Sequence, residues 1–387
     1  MATLETTFLG VKLANPLILA SASPGWDGKN LKRIGDAGAG AVIPKSIGSP
    51  DKWFQHPRTG RMVIYRHGRN MIGMQNIEIF STKDTNEWIK KDLALAAKSR
   101  AAVFASFVAN PDCTVTYELA KTIAKTGIPK VLELNVSCPM PAAGVGWNIG
   151  RHGNLVAEQV KAAKDGAPDI PVMPKLTPNV ADIGSIAKAA EKAGADGISG
   201  INSVRSLVGV DVETGKPLLR AFGGYSGPAI KPIALRCVAE IAKSVKIPVS
   251  GIGGVNSWRD VVEMMMVGAN TVQIATAVIW HGPKVFDTFN KGILRFMERK
   301  GYDSVEDFVG CALKYLTTTE EIAKEAKKTP TVDAAVCNAC IRCIEVCVYN
   351  ATTLEDNVAV INGDLCDGCG LCIQICPRDA ISFKIER

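Results

Sequence analysis

The chain of 387 residues is 47% hydrophobic and 21% charged, which excludes a disordered polymer and matches one large domain plus a small one. Its net charge of +7 comes from Lys and Arg scattered along the sequence, a solvated surface rather than a nucleic-acid footprint. No apolar run reaches the roughly 18 residues of a membrane span, and the N-terminus lacks the basic and apolar regions of a secretory signal. A cytoplasmic protein with no membrane span and no nucleic-acid partner is expected.

Eight apolar, β-branched runs occur before residue 318: PLILAS (16–21), AVIPKS (41–46), AVFASFVA (102–109), VLELNVS (131–137), PVMPKLT (171–177), GISGINS (197–203), PVSGIGG (248–254) and TVQIATAV (271–278). Helical stretches such as ELAKTIAKTG and VADIGSIAKAAEKAG separate most of them. The helix-to-strand turns repeat one theme, AGAGAV, AGADGI and VGANTV, with Gly where a helix C′ residue is expected. Nearly all-apolar strands alternating with helices predict a parallel sheet buried on both faces. Eight such units predict a (β/α)8 barrel over 1–318; a doubly wound open sheet is the alternative. Polar residues gather at the C-terminal ends of the runs, among them Ser21, Lys45, Ser46, Asn135, Ser137, Lys175, Thr177, Asn202 and Ser203. Barrel active sites are built at that face.

A charged stretch follows and predicts a helical linker over 319–330. Eight of the twelve cysteines then lie between Cys337 and Cys376. Cys337, Cys340, Cys343 and Cys347 form one C-x2-C-x2-C-x3-C block; Cys366, Cys369, Cys372 and Cys376 form a second. This is the spacing of a ferredoxin-like 2[4Fe–4S] domain, expected over 331–387, in which the fourth cysteine of each block serves the other cluster. Cys337, Cys340, Cys343 and Cys376 are therefore expected on one cluster, and Cys366, Cys369, Cys372 and Cys347 on the other. Zinc is the lesser alternative, because zinc sites rarely use two such runs. Val348 stands where a proline often follows. Clustered thiols of this kind belong to a reducing compartment.

Adjacent clusters carry single electrons, and the cofactor that links single electrons to hydride chemistry is a flavin. Phosphate sites in such barrels lie after strands 7 and 8. There SGIGGV offers the backbone N–H groups of Gly253 and Gly254, and strand 8 ends in Ala275 and Thr276. Lys175 is a candidate for the flavin N1 side. No G-x-G-x-x-G opens a helix in a βαβ unit, so no NAD site is expected on this chain.

ELNVSCP (133–139) resembles the N-(L/I/V)-S-C-P motif of the class 1 dihydroorotate dehydrogenase and dihydropyrimidine dehydrogenase flavin barrels. NIE (76–78), KLTPN (175–179), GGYSGPAIKPIALR (223–236) and SGIGGV (250–255), followed by the double ferredoxin, resemble the iron–sulfur/FMN subunits of bacterial NAD-dependent dihydropyrimidine dehydrogenases. The resemblance covers nearly the whole chain. It implies FMN contacts from Ser21, Lys45, Ser46, Lys175, Gly227, Gly253, Gly254, Ala275 and Thr276. It places Asn76, Glu78, Asn135, Asn202 and Ser203 toward the substrate and makes Cys138 the general acid/base. A thiol of tunable pKa suits a proton transfer that accompanies hydride transfer, and asparagines suit the alternating C=O and N–H edge of a pyrimidine.

The loop after Cys138 departs from the family. It ends in Gly150-Arg151-His152-Gly153-Asn154 rather than near G-Q-x-P-E-L-V, and it carries Trp147. Arg151 or His152 is a candidate for binding a substrate carboxylate, and 51–70 is another region where specificity can differ. Cys113, Cys237 and Cys311 read as core cysteines. The four histidines show no ligand spacing.

The expected activity is reduction or formation of a C=C bond conjugated to a carbonyl, with uracil or thymine and the 5,6-dihydropyrimidine as the main reading. The alternative is a dihydroorotate dehydrogenase-like reaction on another cyclic or conjugated enone acid. An electron-transfer subunit with an idle barrel is a third possibility, opposed by Cys138, Lys175 and the asparagines. A separate FAD- and NAD(P)H-binding subunit or a ferredoxin is the expected electron partner, and the protein is expected to associate into oligomers.

Overall fold

The computed structural model describes residues 2–48, 58–137 and 148–383. The chain divides into two compact units, Met1–Tyr315 and Leu316–Arg387.

The first unit is built on eight parallel staves. They are β1 (Leu17–Leu19), β2 (Ala41–Val42), β3 (Ala102–Val103 continued by Ala105–Val108), β4 (Leu132–Asn135), β5 (Val172–Leu176), β6 (Ile198–Gly200), β7 (Val249–Ile252) and β8 (Thr271–Ile274). The first half of β3 pairs with β2 and its second half with β4. The sheet order therefore returns to its starting segment and closes a barrel. All eight staves fall inside the runs read from the sequence. Helices such as Cys113–Ala124, Gly153–Gly166, Ile183–Lys192, Lys231–Ser244 and Trp258–Met266 connect them. Asp112, Asp182 and Ser257 cap three of these helices by accepting from backbone N–H groups. Gly38, Gly194 and Gly268 occupy the same place in three helix-to-strand turns, each with φ near +100° (108°, 96° and 107°). A side chain there would be strained, which explains the repeated turn sequence.

The lumen changes character from bottom to top. A hairpin of Thr6–Phe8 and Val11–Leu13 contributes Phe8 and Leu13 to a cluster with Ile18, Ala41, Ile43, Phe104, Val131 and Met173. This apolar plug fills the N-terminal end of the barrel. Above it, Ser106, Glu133, Lys175, Ser199, Ser250 and Gln273 are buried polar groups, so the upper lumen is built for something other than packing.

Two insertions form a four-stranded antiparallel sheet, with Met62–His67 and Asn70–Asn76 from one and Val204–Ser206 and Gly223–Ser226 from the other. It pairs Asn76 with Gly224 and Gln75 with Tyr225.

The second unit repeats one motif. Thr331–Val332 pairs with Ile381–Ser382, and Thr352–Glu355 pairs with Val358–Ile361. The short helices Arg342–Glu345 and Leu371–Ile375 follow the two cysteine loops. The stretch read as a helical linker holds one helical turn, Thr319–Ile322.

Candidate active site

A cavity of about 1070 Å³, open to solvent, lies over the C-terminal ends of the staves. The residues expected at the site converge on it. Ser21, Lys45, Ser46, Asn76, Glu78, Asn135, Lys175, Asn202, Ser203, Gly253, Gly254, Ala275 and Thr276 all line it.

Hydrogen bonds join several of these into one line. Ser21 Oγ lies 3.0 Å from Ser46 Oγ, and Ser46 Oγ lies 2.9 Å from Ser106 Oγ. Asn135 Nδ2 donates to Ser46 Oγ at 3.0 Å. Asn202 Nδ2 donates to Ser137 Oγ at 2.9 Å, and the Ser203 N–H donates to Asn202 Oδ1 at 2.8 Å. The line crosses staves from β1 to β6 and fixes the rotamers of the two asparagines.

A second group is ionic. Glu78 is buried and accepts from Arg61 Nε at 2.8 Å and from the Ser23 hydroxyl, with Lys45 Nζ at 3.4 Å. Burial works against its charge, but Lys45, Ser23 and Arg61 outweigh that and hold the carboxyl below its ordinary pKa. Two cations around one carboxylate leave this corner positive. Met62, Met74, Asn76 and Ser226 of the four-stranded sheet also line the cavity, so the two insertions form one of its walls.

The loops after β7 and β8 suit an anion. Gly253 and Gly254 have φ of 123° and 78°. Among the described residues, the N–H groups of Gly253, Gly254 and Thr276 donate to no backbone carbonyl. A Cβ on Gly254 would sit 2.5 Å from the Lys231 backbone. Gly254→Ala is therefore expected to cost about 2–4 kcal/mol, from positive φ plus overpacking. Gly215→Ala has similar φ (66°) but open space, so it isolates the conformational part. Urea unfolding of both variants checks the expectation.

The cavity floor offers one more sign of a ligand. Lys175 is 5% exposed, lines the cavity, and its ammonium forms no hydrogen bond among the described residues; its nearest anionic atom is Glu133 Oε1 at 3.7 Å. Buried ammonium groups need acceptors. An acceptor-rich planar group such as a flavin fits that place, and a phosphate fits the glycine loop.

The cysteine loops are equally ordered. Cys337, Cys340, Cys343 and Cys376 line one apolar pocket. Every cysteine of the first block recurs 29 residues later, from 337 to 366 and from 347 to 376, and the backbone recurs with it. Ala339 and Ile341 have φ of 54° and 55°; Gly368 and Gly370, at the matching positions, have 78° and 75°. Asn350 and Asp379 match again, both at 52°. A β-branched residue at positive φ is a genuine outlier, so the first loop accepts strain to keep this shape. Backbone N–H groups point at sulfur: Ala351 N–H to Cys347 at 3.3 Å, Gly368 N–H to Cys366 at 3.4 Å and Ala380 N–H to Cys376 at 3.4 Å. The N–H groups of Ala359 and Ala339 hold the Cys337 thiol below its ordinary pKa. Donors aimed at sulfur favour thiolates, the form that ligates iron.

The sequence profile of the dihydroorotate dehydrogenase family matches residues 3–297. The chain belongs to the dihydroorotate dehydrogenase family. The profile of a 4Fe-4S binding domain matches residues 359–382. Dihydroorotate dehydrogenase B (NAD(+)), catalytic subunit, of Pyrococcus abyssi is 42% identical over 317 residues, covering 80% of this chain and 99% of the relative. Its counterpart from Methanothermobacter thermautotrophicus is 39% identical over 312 residues, covering 80% and 98%. A crystal structure of DHODH from Eimeria tenella in complex with ferulenol aligns with a TM-score of 0.67 at 18% identity, over 80% of this chain and 88% of that one, which supports the barrel fold. The curated relatives are matched almost end to end, while a fifth of this chain has no counterpart in them. These relatives are dihydroorotate enzymes. The expected kinship with a dihydropyrimidine dehydrogenase subunit therefore narrows to the shared flavin-barrel family plus an iron–sulfur domain.

As a member of the dihydroorotate dehydrogenase family, the chain is an oxidoreductase of CH–CH bonds. Cys138, Trp147 and His56 lie outside the described residues. Gly227 is not among the residues lining the cavity; it has φ of 95°, and a Cβ there would meet Trp280 at 3.0 Å and Gly73 at 3.1 Å. Arg151 and His152 are exposed and are not among the residues lining the cavity. Cys237 is core as expected, its thiol pushed up to about 11 by burial. Cys113 and Cys311 are half-buried: Cys311 packs against the main core cluster, and Cys113 opens its helix. Among the described residues no helix is long and apolar enough to cross a membrane. Sequence reasoning missed Glu133, Ser199, Ser250, Gln273, Ser23 and Arg61. For the strand residues a signal existed: polar side chains in mid-strand of otherwise apolar parallel staves.

Proposed function

We propose that this chain interconverts a 5,6-dihydropyrimidine and its C=C form, with dihydroorotate and orotate as the favoured pair, using FMN in the barrel and two [4Fe–4S] clusters in the C-terminal unit. The observation that carries the reading is the hydrogen-bonded line from Ser46 through Asn135 to Asn202 and Ser203 along the cavity rim, with Asn76 lining the same cavity. Fixed amides supply donors and acceptors for the alternating edge of a pyrimidine ring.

FMN, when bound, would supply a two-electron hydride acceptor for the saturated carbon. Ser21, Lys45, Ser46, Lys175, Ala275 and Thr276 would hold it, with Gly253 and Gly254 on its phosphate and Gly227 supporting the wall. Asn76, Asn135, Asn202 and Ser203 would orient the substrate ring. Cys138, three positions after Asn135, would take the proton from the neighbouring carbon as a thiolate. The C–H electron pairs then become the hydride and the new C=C bond. Lys45 and Arg61, together on Glu78, leave a positive corner suited to the substrate carboxylate.

Two clusters are supported by the 29-residue recurrence of loop shape and N–H···S contacts, in which each block presents the same cradle. Cys337, Cys340, Cys343 and Cys376 would hold one cluster, and Cys366, Cys369, Cys372 and Cys347 the other. The names of the relatives, as catalytic subunits of NAD(+) enzymes, favour a separate FAD- and NAD(P)H-binding subunit as electron partner, with a ferredoxin as the other choice. Cytoplasmic location and self-association go with this reading.

A second reading, uracil or thymine and their dihydro forms, is favoured by Glu78. Its carboxylate lines the cavity and would accept from a ring N–H of a neutral pyrimidine while repelling a substrate carboxylate. Anaerobic mixing of the holoprotein with dihydroorotate, dihydrouracil and dihydrothymine tests both. Flavin bleaching by dihydroorotate is expected. Bleaching by dihydrouracil or dihydrothymine alone moves the assignment to the second reading, and no bleaching by any of the three overturns both.

A further inference from the structure

The upper lumen holds a charge that none of the roles above uses. Glu133 sits in mid-strand on β4 and is fully buried. Its Oε2 accepts from Ser199 Oγ at 2.8 Å and from Gln273 Nε2 at 2.9 Å. Gln273 Nε2 also lies 3.1 Å from Ser199 Oγ and 3.2 Å from Ser250 Oγ. These contacts fix the carboxylate in one orientation. Its other oxygen, Oε1, has no hydrogen-bond partner and points to Lys175 Nζ at 3.7 Å. Lys175 is one stave away on β5, beside Ser199 in register, and its ammonium faces the cavity.

Barrel lumens are ordinarily filled by bulky apolar side chains. A buried ion pair is seldom kept for stability, since apolar residues of equal volume do as well or better. Here one member of the pair, Lys175, lines the cavity proposed to take the flavin. An unopposed ammonium there would hold reduced, more negative flavin far more tightly than oxidised flavin. A carboxylate at 3.7 Å offsets most of that field in a low-dielectric interior.

We propose that Glu133 is a positioning residue that acts through Lys175. It anchors the ammonium at the cavity floor and offsets its charge, and so sets how strongly the site prefers reduced over oxidised FMN. This rests on the flavin reading above.

The test is the flavin midpoint potential of the full-length holoprotein, measured anaerobically, with bound FMN quantified first. Glu133→Gln is expected to raise the preference for reduced FMN at least tenfold, about 30 mV for a two-electron couple. Lys175→Gln is expected to lower it by a similar factor. The double variant should regain at least tenfold of what Lys175→Gln loses, because the pair is neutral with both charges or with neither. A merely structural role would move both single variants in the same direction. If Glu133→Gln does not fold, Lys175→Gln and the double variant still decide the matter. A double variant whose potential matches that of Lys175→Gln overturns the proposal, as does a folded, FMN-bearing Glu133→Gln with an unchanged potential. A wild-type protein that binds no FMN defeats the flavin reading instead.

Discussion

Lys175→Met is expected to destabilise the barrel unit by about 3–5 kcal/mol, the cost of leaving a buried carboxylate without its counter-charge. Glu133 cannot relax toward water, because it is fully buried and tied to Ser199 and Gln273. The methionine fills the same volume, so packing loss is small and the deficit reports charge. Adding Glu133→Gln should return most of the stability, since an amide keeps the shape and needs no cation. Urea unfolding of the two variants, with flavin removed from all samples, reads this directly. A Lys175→Met protein as stable as the wild type would mean that the pair is already solvated through the cavity.

The second large effect concerns iron. Cys376 belongs by sequence to the second block, yet it lines the same pocket as Cys337, Cys340 and Cys343. Cys376→Ser should therefore remove the cluster of the first block and leave that of its own block, with bound iron falling from about eight to about four per chain. Cys347→Ser should do the reverse. Tyr349, two positions after Cys347, has its pKa raised chiefly by a hydrogen bond to Asp367 of the second block, so the chain next to Cys347 runs beside that block. Iron analysis and the EPR spectra of the two dithionite-reduced variants give the check. Identical residual spectra from Cys376→Ser and Cys366→Ser would show that the ligands do not cross.

These two cases also show what a single sequence exposes. The staves were legible because parallel strands buried on both faces read as plain apolar runs. The cavity rim was legible because polar residues at Asn135, Lys175 and Asn202 end such runs. The cysteine blocks were legible because their spacing is covalent chemistry written locally. Glu133 and Gln273 show in the sequence only as polar residues inside apolar strands; their role depends on cross-barrel partners, which lie 140 residues apart here. The four-stranded sheet was also missed. Its first hairpin turns at Gly68, which has positive φ (57°), and its strands mix Met, Gly and Arg without clean alternation. Its second hairpin strands are separated by a long loop, so neither half predicts the other. Substrate identity was the hardest part. Glu78 draws Lys45, Ser23 and Arg61 around itself, and only the assembled group shows that the corner is positive while still presenting a carboxylate.

In the proposed reaction, substrate electrons enter at the barrel flavin and reach iron–sulfur clusters on the same chain. Anaerobic titration of the purified holoprotein with dihydroorotate, followed by absorbance and low-temperature EPR, tests it most directly. Loss of flavin absorbance and growth of a reduced [4Fe–4S] signal are expected with no other reductant present. Flavin that bleaches while every cluster stays oxidised and EPR-silent would contradict it.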